Sequence, residues 1–72
     1  MYFIAYRDKD GKDFNGLPWI EPICEGDQSL AAARNRKSVY ENLLTSMVIF
    51  ECDEYNAPEV ITWDFVEQHK VE

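Results

Sequence analysis

The sequence predicts a small α+β domain: an antiparallel β-sheet of two hairpins, three to four strands in all, with one α-helix packed across one face, in the order ββαββ. Three observations predict it. One long segment, Asp27 to Met47, carries a helical apolar stripe. Two flanking segments, residues 1–7 and 47–55, alternate with period two. Asp-Gly, Asn-Gly and proline turn signals separate the pieces. The 72 residues form one domain, 1–72, with no linker, repeat or low-complexity stretch.

Residues 1–7 read as a strand. Tyr2, Ile4 and Tyr6 point one way and Phe3, Ala5 and Arg7 the other, so both faces are apolar and a central position suits it. Asp8-Lys9-Asp10-Gly11-Lys12 follows, and its Asp-Gly pair predicts a type I′ hairpin turn. The Asp8-x-Asp10 spacing resembles the opening of a calcium loop, but the glycine and glutamate that such a loop needs at its sixth and twelfth positions are missing, so a charged turn is expected. Residues 13–26 are irregular, punctuated by Asn15-Gly16, Pro18, Pro22 and Gly26. An extended segment is expected to lay Trp19 on the core, with a short edge strand at 19–24. Pro22 cannot donate to a ladder, which argues against a central place.

Asp27 is the expected N-cap of the helix, with Ser29 as the alternative. Leu30, Ala32, Ala33, Tyr40, Leu43, Leu44 and Met47 share one arc, and Tyr40 and Leu44 at its middle are expected in the core. Arg34, Arg36 and Lys37 splay around the helix without forming one basic patch. Arg36 and Lys37 fall inside or at the edge of the apolar arc, where their stems can cover apolar neighbours and their heads reach water or carboxylates. Residues 47–55 are expected to form the next strand with one face buried, Val48, Phe50 and Cys52 alternating with Ile49, Glu51 and Asp53. Asn56-Ala57-Pro58 turns the chain into a last antiparallel strand from Val60. Asp64 to Glu67 reads either as a capping box for a short helix or as continued strand; the β-branched and aromatic residues favour strand to about residue 66.

Charge is the most informative functional feature. Residues 1–40 are neutral in sum, so the whole net charge of −7 falls after residue 40. Such a field repels nucleic acid, whose phosphates demand cations, and attracts basic surfaces. The expected function is a non-enzymatic, inhibitor-like binding module that docks on a basic surface of a partner protein, including one that otherwise holds nucleic acid. The residues expected to carry it are Glu51, Asp53, Glu54, Glu59 and Asp64, with Tyr55 and Trp63 as aromatic anchors. The alternative is a structural or assembly protein that forms a homodimer or larger oligomer through a sheet edge or exposed aromatics, its acids serving solubility. Direct nucleic-acid stacking on the aromatics is disfavoured by the charge.

No catalytic or cofactor motif is present: there is no nucleophile elbow and no glycine-rich phosphate loop, and the single histidine, His69, sits near a chain end that is expected to fray. No cofactor is expected. Nor is a metal, since Cys24, Cys52 and His69 offer three ligands at most, without close spacing. The two cysteines are expected as reduced thiols, one disulfide being the alternative in an exported protein. No apolar run approaches the ~20 residues of a membrane span. The stretch from Met1 to Tyr6 lacks a basic flank and turns polar at Arg7, unlike a signal peptide. A soluble cytoplasmic protein is the expectation. In general character, short, acidic, aromatic-rich and α+β, the chain resembles small phage-encoded proteins that act by binding a host protein, a likeness of type that covers no alignable residues.

Overall fold

The computed structural model describes residues 1–22, 29–53 and 57–72. The expectations for Asp27 as a cap, for Cys24, and for Glu54 and Tyr55 as docking residues lie outside the described residues. The elements are β1 (Tyr2–Arg7), β2 (Trp19–Pro22), α1 (Leu30–Tyr40), β3 (Thr45–Glu51) and α2 (Trp63–Gln68). The fold is α+β, and the last element is a helix where a fourth strand was expected.

The sheet is antiparallel with order β2-β1-β3, so β1 is central and β2 lies at an edge, as their compositions predict. Period two then sorts the core into two halves. Ile4 and Ile49 pack against Ala33 of α1, with Tyr2, Tyr6, Leu30, Ala32 and Met47 around them. Phe3, Ala5, Phe50 and Cys52 pack against Val66 of α2, with Phe3 and Phe50 stacked at 5.3 Å. The helices therefore cover opposite faces, and the expectation of one helix over one face is half of the arrangement. Burial on both faces explains why β1 and β3 are apolar at both parities.

Helix α1 starts at Ser29, whose hydroxyl oxygen accepts from the Ala32 amide at 3.1 Å. It ends at Tyr40, well short of Met47. The amides of Leu43 and Leu44 both bond back to the Tyr40 carbonyl and close the last turn. β3 begins at Thr45, where Ser46 takes a positive φ of 53° at a bulge opposite β1. The apolar stripe overran the helix because its last members serve other elements. Met47 lies on the α1 side of β3 by strand parity, and Leu43 is 61% exposed. Tyr40 and Leu44 are half-buried rather than core. Trp19, also expected on the core, is 40% exposed.

The Asp-Gly turn is present with a different geometry. Asp8 accepts from the Gly11 amide at 2.9 Å, and only Gly11 has positive φ there, 76°. This is a type I turn closed by a glycine bulge. The Asp8 carboxylate takes the Asp10 and Lys12 amides, a charged turn bonded to its own backbone. The type I′ geometry belongs instead to Asn15-Gly16, at φ 53° and 82°, between Phe14 and Leu17, which exchange two 2.9 Å bonds.

Helix α2 is capped by Thr62, whose hydroxyl oxygen accepts from the Phe65 amide, and Asp64 meets the positive end of its first turn. The strand expected to residue 66 is overruled because the Phe3–Phe50 face of the sheet needs cover. The chain past α2 does run along the sheet. Val71 and Glu72 donate to the Ile49 carbonyl, while Ile49 donates to Glu72 and Glu51 to His69. The tail expected to fray thus pairs with the outer edge of β3.

Candidate interaction surface

The tail bonds define both edges of the sheet. Ile49 and Glu51 turn their amides to residues 69–72, so Val48 and Phe50 face β1. Antiparallel alternation then turns Trp19 and Glu21 inward to β1 and leaves Ile20 and Pro22 at the outward positions, with Pro18 just before the strand. Neither proline has an N–H, and Ile20 is left as the one outward donor of β2. Such a proline-flanked edge resists the addition of another strand.

Among the described residues, three ion pairs tie the elements together, and they use all three arginines of the chain. Arg36 meets Glu21 of β2 at 2.8 Å, and the Tyr40 hydroxyl donates to the same carboxylate. Arg34 grips Glu72 in the tail through two guanidinium nitrogens. The splayed cations thereby clamp α1 to both sides of the sheet. The Arg34 guanidinium also holds the Glu72 carboxyl below the usual carboxylate range. Arg7 meets Asp13 at 3.3 Å and lies 4.3 Å over the Trp63 ring.

Asp13 is the residue that the sequence reading passed over. One carboxylate oxygen accepts from the Gly16 amide; the other accepts from the Trp63 indole at 3.2 Å and faces Arg7. The indole hydrogen bond is the main cause of its lowered pKa, with the Gly16 amide and Arg7 adding to it against the opposing effect of burial. Asp13 so joins the end of β1, the Asn15-Gly16 turn and the first turn of α2. Nothing in its local pattern marks it, because its partner Trp63 is fifty residues away.

Among the described residues, two open grooves flank β2 and share Ile20. The first, about 460 Å³, lies on the α1 side and is lined by Tyr6, Ile20, Glu21, Tyr40, Leu43 and Leu44. Burial raises the Tyr6 hydroxyl pKa there, with Glu21 and Tyr40 adding to it. The second, about 280 Å³, lies between the Phe14–Ile20 segment and residues 59–61. Phe14 and Val60 are each 56% exposed on it, and Phe14 stands 5.6 Å from the Trp19 ring. Among the described residues, Glu59 is its one charged lining residue and no cation lines either groove.

The expected docking residues are not gathered on one hairpin. Glu51 ends β3 on the α1 side, beside Tyr2. Asp64 is on α2, which covers the opposite face, and Glu59 lines the smaller groove. Glu51, Asp53, Glu59 and Asp64 are all exposed. Trp63 is half-buried against the core, with its indole bonded to Asp13 and its ring under Arg7, so it is a packing residue rather than a free anchor. Phe14, Trp19 and Val60 are exposed apolar groups beside the smaller groove; Trp19 was expected on the core, and no pattern in the sequence singled out Phe14.

No family model, curated protein or solved structure matches the chain. The functional reading therefore rests on surface chemistry alone. Cys52 is buried and its thiol pKa is raised, by burial first. His69 stacks on Phe65 at 4.1 Å, and its Nδ1 lies 2.9 Å from the Phe65 carbonyl. No helix among the described residues is long and apolar enough to cross a membrane.

Proposed function

We propose that the protein is a non-enzymatic binding module that docks on a basic surface of a partner protein, with inhibition of a nucleic-acid-binding protein as its most direct use. One observation carries the reading: the three arginines are consumed in intramolecular ion pairs, while Glu41, Glu51, Asp53, Glu59, Asp64 and Glu67 are all exposed. The arginines are neutralised where α1 and the turns meet the sheet, and these six exposed acids belong to a chain whose net charge is −7. A field of that sign speeds encounter with cations and repels phosphate backbones. The proposed setting is the cytoplasm, where cysteines such as Cys52 stay reduced.

The alternative, self-assembly through a sheet edge, gains less support. One edge is flanked by Pro18 and Pro22 and the other is paired with the tail, while two copies would each bring seven negative charges. The test is a pull-down by the immobilised chain at low salt and at ~500 mM salt, followed by competition of the captured protein with nucleic acid. Basic proteins released by salt and displaced by nucleic acid are expected. Capture that ignores salt would reject the electrostatic reading.

A further inference from the structure

The smaller groove beside β2 combines features that the acidic surface alone does not explain. Three of its lining side chains, Phe14, Trp19 and Val60, are large, apolar and exposed. One wall is held in place before any partner arrives. The Asn15-Gly16 turn is closed by two backbone bonds, and Asp13 fastens it to Arg7 and Trp63. A preformed apolar wall loses little freedom on binding, so its contacts count nearly in full. At about 280 Å³ the groove falls below the ~300–1,000 Å³ typical of small-molecule clefts and suits side chains from a protein.

We propose that this groove receives a short basic–apolar segment of a partner protein, an aliphatic or aromatic side chain entering against Phe14, Trp19 and Val60 and a neighbouring lysine or arginine meeting Glu59. The proposal rests on the reading of a basic partner given above and names where that partner is gripped. Charge complementarity selects the occupant. Glu59 is the one charge on the groove among the described residues, it is exposed, and the chain as a whole carries −7. A cation beside Glu59 can also lie over the Phe14 and Trp19 rings, which draw cations to their faces. A second copy of this chain would bring like charge to like charge. A strand laid along β2 would meet Pro18 and Pro22, so side chains rather than a backbone ladder make the contact.

The test is a ¹⁵N NMR titration with a short synthetic peptide alternating lysine and leucine, against the same peptide with glutamate in place of lysine. The lysine peptide is expected to shift the Trp19 indole and the Phe14, Val60 and Ile61 amides, and the glutamate peptide to shift none of them. Glu59→Lys and Val60→Ser are both changes at exposed positions, and each should weaken binding at least about tenfold with the spectrum otherwise preserved. Equal binding of both peptides would overturn the charge choice. No binding of the lysine peptide, or binding that neither substitution weakens, would overturn the groove. If the shifts then fall at Glu51 and Asp53 instead, the basic-partner reading survives without the groove. Groove signals that move with protein concentration alone would assign the site to a second copy and overturn the proposal.

Discussion

Asp13 shows how one side chain can organise distant elements. Its carboxylate is held charged by the Trp63 indole first, then by the Gly16 amide and Arg7, and Glu72 is held charged by Arg34. Both pKa values are lowered in the folded chain, so the folded state binds these protons less readily than the unfolded state. Their contribution to stability is present above the ordinary carboxylate range and is lost as pH falls through the lowered values. NMR titration should find Asp13 and Glu72 each below the ordinary value for its own residue type. Trp63→Phe should bring Asp13 back toward it while leaving Glu72 unmoved, and an unchanged Asp13 would disprove the role of the indole. Core residues make a sharper stability test. Phe50 is fully buried between Phe3 and Phe65, and Phe50→Ala should cost about 3–5 kcal/mol in chemical denaturation. Leu43→Ala, which continues the same apolar stripe as the core of α1 but is exposed, should change stability by less than ~0.5 kcal/mol.

At the scale of elements, what was legible depended on whether one local pattern had one cause. β1 and β3 were legible because β-branched and aromatic residues fill them, and the edge position of β2 because Pro22 admits few others. The C-terminal end of α1 was not. Leu43, Leu44 and Met47 extend its stripe by coincidence, being supplied for a groove and for β3. The helix α2 was hidden for a related reason. Ile61 just before it and its own Trp63 and Phe65 alternate as in a strand, and only the need to cover the Phe3–Phe50 face, a tertiary fact, selects the helix. The ion-pair clamps and the Asp13 junction join residues far apart in the chain, and no local spacing announces them. Thr62→Ala tests the cap of α2. It should cost about 0.5–2 kcal/mol, and hydrogen exchange should quicken first at the amides of Phe65 and Val66. Deleting residues 69–72 should expose the outer edge of β3, quicken exchange at Ile49 and Glu51, and promote association through that edge. Unchanged exchange at those two amides would show that the tail does not cover the edge in solution.

For the molecule as a whole, the decisive question is what its uneven charge does. Seven net negative charges on a chain of 72 residues oppose compaction, and a small domain has little stability in reserve. Among the described residues three internal clamps answer this, two of which tie α1 to β2 and to the tail, while Glu41, Glu51, Asp53, Glu59, Asp64 and Glu67 are exposed. That division predicts that the exposed acids can be changed without loss of the fold. Reversing Glu51, Asp53 and Glu59 to Lys together should leave the thermal transition within a few degrees of the parent. Each position is exposed, and each change is worth less than ~0.5 kcal/mol. Binding to a basic partner captured by the parent should nevertheless collapse. The loss should appear mainly as slower association, with a weaker dependence on salt, because long-range attraction acts on the encounter rather than on the formed contact. A homodimer made through Phe14 and Trp19 would respond the other way, since removing like charge from both copies tightens it. Association that keeps its rate in the triple variant would mean that the acids only keep the molecule in solution, and that recognition lies in the apolar groups beside β2.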